Sequence, residues 1–205
     1  MPPLGADRTT RILEATCRVA ARKGVQALRM REVAREAGVS NALLHYYFET
    51  RTELLAQAFE FAEERAYARI EAALEGLATG AERLQRFLRL YVAEESLLQE
   101  DWVLWNEVWL SALLDEDLRP AIEQAYTRWV SRIVELALEA TDDGSISEVE
   151  DVDSAARRLA ALVDGLGSQR VVGLLATDQS ERLLDEALEL ELGLRPMSRT
   201  AADPA

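Results

Sequence analysis

Between Ser40 and Arg51 the chain carries Ser40, Asn41, His45, Tyr46, Tyr47 and Arg51. This hydroxyl, amide, imidazole, pair of phenols and guanidinium can bond phosphate oxygens or base edges. The same groups are poorly suited to catalysis. With one histidine and one cysteine in 205 residues, the chain offers no nucleophile beside a base, and no enzyme is expected. His45 lacks a His or Cys partner at ligand spacing, which argues against a metal, and no cofactor is implied. Cys17 cannot close an intramolecular disulfide. It falls with Leu13, Ala20 and Ala21 on one helical face, where it reads as core.

Two short helices must position these groups. Met30, Val33, Ala34 and Ala37 recur at helical spacing, Gly38 offers the left-handed conformation that ends a helix, and Ser40 can cap the next. That second helix runs from about Asn41 to Tyr47, turning Leu44 and Phe48 inward and leaving Asn41, Ala42, Leu43, His45 and Tyr46 available to a DNA groove. Asn41 can bond a base edge, and Ala42 and Leu43 can pack on thymine methyls. Tyr46 suits a phosphate, and Tyr47 with Phe48 forms an aromatic wedge that is partly core. Arg51 opens a helix, where a cation is disfavoured by the dipole, and so reads as a phosphate clamp.

A net charge of −14 argues against a DNA partner until it is divided along the chain. Residues 1–58 hold nine Lys or Arg against six acids, a balance of +3, which leaves −17 on the remainder. An acidic body repelled by phosphates and a basic head attracted to them would orient the encounter.

Beyond the head the apolar pattern is helical throughout. Helices are predicted over about 51–77, 81–98, 101–114, 118–140, 152–175 and 179–192. With three in the head, about nine helices make an all-α fold: a three-helix helix-turn-helix head and a C-terminal antiparallel helical bundle. The expected domains are 1–50 for DNA binding, 51–194 for ligand binding and dimerisation, and a flexible tail over 195–205. No stretch is long and apolar enough for a membrane span or a secretory signal, so a cytoplasmic location is expected.

Two clusters in the body invite a functional reading. Trp102, Trp105 and Trp109 share one helical face, and Trp129 lies with Tyr126 and Ile133 on the next helix. They read either as core packing or, with Glu95 or Glu107, as a cage for a cationic small molecule. Ala156, Leu159, Ala160, Val163, Leu166 and Gly167, followed by Leu184, Ala187 and Leu188, form a small-residue stripe. It could join two copies in a four-helix bundle or pack inside its own body.

The run Ala37-Gly38-Val39-Ser40, then Tyr47, Phe48 and Arg51, resembles the head of the tetracycline-repressor family of transcription regulators. The resemblance implies a homodimer on a near-palindromic operator, released when a small molecule binds the helical body. It places base reading on Asn41, Ala42 and Leu43 and phosphate contact on Ser40, His45, Tyr46, Tyr47 and Arg51. Arg29 stands where the family often has Thr and could reach the same phosphate, and His45 stands where it usually has Tyr. Trp105 to Trp109 and the segment Leu159 to Leu166 are similar to the subgroup containing the choline-responsive repressor of betaine synthesis. Gly167, Ser168 and Gln169 depart from that subgroup's bulkier pattern. An activator, or a regulator with no small-molecule effector, would leave the same head motif.

Overall fold

The structure, a computed structural model, describes residues 4–92 and 96–194, with side chains over 8–92 and 103–194. The described residues form nine α-helices and no strand, as the all-α expectation requires. They are α1 (Leu4–Lys23), α2 (Met30–Ala37), α3 (Asn41–Tyr47), α4 (Arg51–Leu74), α5 (Gly80–Val92), α6 (Ser96–Ser111), α7 (Arg119–Asp142), α8 (Val152–Val171) and α9 (Thr177–Leu192). A single 3-10 turn, Glu116–Leu118, precedes α7. The expected tail, 195–205, lies outside the described residues.

Packing divides the chain into two units, Met1–Arg69 with Ser96–Arg128 and Ile70–Glu95 with Trp129–Ala205. The packing boundary therefore differs from the 50/51 division anticipated on functional grounds. In the first unit Ile12, Val33, Leu44, Phe48, Leu55 and Phe59 share one buried cluster with Leu104, Val108 and Ala112. Helix α6, distant in sequence, thus completes the core under the head helices. Cys17 is half-buried against this core, with Sγ 3.5 Å from the Ala58 carbonyl oxygen.

In the second unit α5, α8 and α9 pack on one another, burying Phe87, Leu88, Leu159, Ala160, Val163, Leu184 and Leu188. Gly80 lets α5 start hard against α7: a Cβ there would lie 2.3 Å from the Ala140 nitrogen. The first amides of α5 are satisfied in the same place. Gly80 N–H donates to Asp143 Oδ2 at 2.6 Å and Ala81 N–H to Ser145 Oγ at 3.1 Å.

Of the two readings of the small-residue stripe, packing inside its own body is the one this unit displays. Ala156, Leu159, Ala160, Val163, Leu166, Gly167, Leu184 and Leu188 are buried within one chain, and Ala187 alone of that set keeps partial exposure. Their small side chains serve close helix approach inside the unit.

Candidate functional site

The α2–α3 corner is held by local bonds. Gly38 adopts φ 66°, and its N–H donates to the Arg35 carbonyl at 3.2 Å while Val39 N–H reaches Ala34 O at 2.9 Å. Arg11 Nη2 adds a donor to Ala37 O at 3.0 Å. Ser40 then caps α3, its Oγ accepting from Leu43 N–H at 3.1 Å. Arg29 precedes α2 in an extended conformation and makes no side-chain cap. Its Nη1 turns back to the carbonyls of Gln26 and Leu28, at 3.2 and 3.3 Å.

Helix α3 buries Leu44, with Phe48 at its end, and exposes Asn41, Ala42, His45 and Tyr46. These four positions share one helical face, with Leu43 half-buried at its edge. The Tyr46 ring is 80% exposed and meets Tyr47 edge-on, with centroids 5.3 Å apart. Tyr47 is half-buried against the first unit's core.

Arg51, at the start of α4, bonds backbone within the chain. Its Nε donates to Leu28 O at 3.2 Å and its Nη2 to Val25 O. The guanidinium bonds two carbonyls of the α1–α2 turn that each accept a second hydrogen bond, Val25 O from Leu28 N–H and Leu28 O from Arg29 Nη1, a use that the sequence spacing did not reveal.

The head's charge is also partly consumed internally. Arg18 and Arg22 pair with Glu36 at 3.1 and 2.7 Å, and Lys23 with Glu32 at 2.6 Å, tying α1 to α2. The Arg22 hydrogen bond, then that of Arg18, holds the Glu36 carboxyl below its usual range, and Lys23 does the same for Glu32. Arg31 and Arg35, one turn apart on α2, stay exposed, with Glu32 the nearby opposing charge. They were not singled out from sequence, although their i,i+4 spacing was the available signal.

The tryptophans separate. In the first unit Trp105 and Trp109 stack at 4.7 Å and 23°, and Trp109 meets Tyr126 at 5.9 Å. Trp109 keeps 41% exposure. Trp129 belongs to the second unit, where it is 6% exposed and packs on Tyr91 at 5.3 Å. Glu107 accepts the Val25 N–H at 2.9 Å through Oε2. Glu95 and the Trp102 side chain lie outside the described residues. Among the described residues no group of three or more His, Cys, Asp or Glu is placed to hold a metal ion, and no helix is long and apolar enough to cross a membrane.

With this geometry in place, comparison with known proteins is specific. Residues 12–58 match the tetR family of bacterial regulatory proteins, and residues 80–193 match the C-terminal domain of BetI-type transcriptional repressors. The transcriptional regulator PksA of Bacillus subtilis (strain 168) is 30% identical over 161 residues, spanning 78% of this chain and 76% of the relative. BetI of Rhizobium meliloti (strain 1021) is 28% identical over 168 residues, spanning 81% and 80%. A crystal structure of a Saccharomonospora viridis transcriptional regulator in complex with choline is similar at TM-score 0.80 and 32% identity, covering 91% of this chain and 98% of that one. A Rhodococcus TetR-family regulator gives TM-score 0.81 and 32% identity, covering 91% and 99%.

Proposed function

The chain belongs to the TetR family of helix-turn-helix transcriptional regulators, with a C-terminal half of BetI type, and on that premise we propose that it is a dimeric cytoplasmic repressor released from its operator by a small organic cation. The solvent face of α3 carries the DNA-binding part. A phenol that is 80% exposed, at the end of a helix capped by Ser40, presents a hydroxyl that can donate to a phosphate oxygen. Asn41, Ala42 and Leu43 read base edges. Ser40, His45 and Tyr46 contact phosphates, Tyr47 braces them, and Arg29, Arg31 and Arg35 supply charge beside them. Fluorescence anisotropy on duplexes selected from a random pool tests this. Binding that weakens steeply with salt supports it, and equal affinity for selected and random DNA overturns it.

The dimer uses what the single chain leaves uncovered. Leu183, Ala187 and Leu190 fall at i, i+4 and i+7 of α9, with Leu183 40% and Leu190 83% exposed. Ala161 and Gly165 of α8, with Val172 just past its end, add a parallel line of small and apolar positions. Two copies would supply one head for each half of a near-palindromic site.

For the effector, the aromatic group of the first unit supports a cation. At 4.7 Å the Trp105–Trp109 stack leaves no space between its rings, so the open face of Trp109, beside Tyr126, is the surface offered. The choline held by the Saccharomonospora regulator points to the same ligand chemistry. Titration calorimetry with choline and with its uncharged tert-butyl isostere decides the matter. Binding of choline alone, lost in Trp109→Ala, supports a cation site, whereas equal binding of both compounds overturns it.

A further inference from the structure

Helix α6 and the turn after it carry three stripes, each with a four-residue repeat. Leu104, Val108 and Ala112 are buried in the first unit's core. Trp105 and Trp109 form the aromatic stack. Glu107, Ser111 and Asp115 bond the head. Val25 N–H donates to Glu107 Oε2 at 2.9 Å, Gln26 Nε2 to Ser111 Oγ at 3.2 Å, and Thr52 Oγ1 to Asp115 Oδ2 at 2.7 Å. Two of these three bonds fall on the α1–α2 turn. Arg51 holds the carbonyls of Val25 and Leu28 in that same turn. The turn from which α1 and α2 both depart is therefore gripped through an N–H by α6 and through carbonyls by α4.

We propose that Glu107 is the positioning residue that makes the orientation of the head and the position of α6 a single variable, a latch that rests on the DNA-binding and effector reading given above. A carboxylate on a backbone N–H is a strong, directional bond. Gly24, at φ 78°, takes the left-handed conformation that sets the turn just before the Val25 N–H. Glu107 lies between Trp105 and Trp109 in sequence, on the same helix. A ligand seated on Trp109 that shifts the α6 backbone carries Glu107 with it, and with Glu107 the turn. Such a ligand shifts the head only as far as it binds the two positions of α6 with different affinity. The latch turns that difference into a change in how far apart two heads can read.

The experiment uses the full-length protein and duplexes selected from a random pool, re-synthesised with the half-site spacing lengthened or shortened by one or two base pairs. Wild type shows a sharp optimum. Glu107→Ala weakens binding at the optimum roughly tenfold while leaving the altered spacings nearly unchanged, so the profile flattens. Glu107→Gln, which keeps the acceptor, restores the optimum. Thr52→Val, which removes the companion hydroxyl with little change in volume, flattens the profile in the same sense and decides the question if Glu107→Ala does not fold. Folded variants, checked by circular dichroism, that lose affinity equally at every spacing or keep the wild-type profile overturn the latch. A wild type that selects no duplex overturns the DNA-binding reading beneath it.

Discussion

Helices α3 and α8 use their apolar stripes differently. Helix α3, seven residues long, buries Leu44 and presents Asn41, Ala42, His45 and Tyr46 to solvent. Helix α8, twenty residues long, buries Ala155, Ala156, Leu159, Ala160, Val163, Leu166 and Gly167 within its own unit. A seven-residue helix has no independent stability, so α3 stands on its Ser40 cap and on the core beneath Leu44 and Phe48. Its free face is available for recognition. In α8 the small residues let α5 and α9 come close, and the face available for a second copy lies beside the stripe. Small-residue periodicity marks close approach without saying whether the neighbour belongs to the same chain.

Substitutions can sharpen this contrast. The largest effect is expected from Gly80→Ala in the second unit. Its Cβ would sit 2.3 Å from backbone of Ala140, and separating α5 from α7 should cost about 3 kcal/mol in urea unfolding. A loss under about 0.5 kcal/mol would mean the two helices are not held at that distance. In the head, Tyr46→Ala should leave stability unchanged yet weaken DNA binding roughly tenfold or more by anisotropy. Unaltered affinity would remove the phenol from the interface. Leu190→Glu should convert the dimer to a folded monomer in sedimentation, whereas a persistent dimer would place the seam elsewhere.

The smallest effect concerns pH. Burial pushes the Asp164 carboxyl on α8 up to about 7, from an ordinary value of 3.8. Between those two values the folded chain holds a proton that the unfolded chain has released, so this residue makes stability fall as pH rises. Asp164→Asn should remove that part of the slope, narrowing the difference between thermal midpoints measured at pH 5 and pH 8. An identical slope in both proteins would show the carboxyl to be solvated.

Much of this was legible from residue spacing. The span of α3 was read as Asn41 to Tyr47, and Gly38 and Ser40 mark the corner by backbone freedom and capping, which are properties of single residues. Individual site roles were harder. Nothing local to Arg51 or Glu107 says that their partners are the backbone of residues 25–28, since those bonds span 23 to 82 positions in sequence. Long-range hydrogen bonds of this kind leave no periodic trace. The burial of the α8 stripe was ambiguous for a related reason: periodicity identifies a face without naming what covers it.

The place of α6 beneath the head bears on how this protein could be re-engineered. A chimera that joins residues 1–50 to the sensing half of another regulator would leave Leu104, Val108 and Ala112 behind. The transplanted head would then lose part of its floor and the carboxylate that grips its first turn. The packing unit that holds the head is discontinuous in sequence, and a sensor designer who wanted to carry that packing along would have to make two cuts where the sequence suggests one.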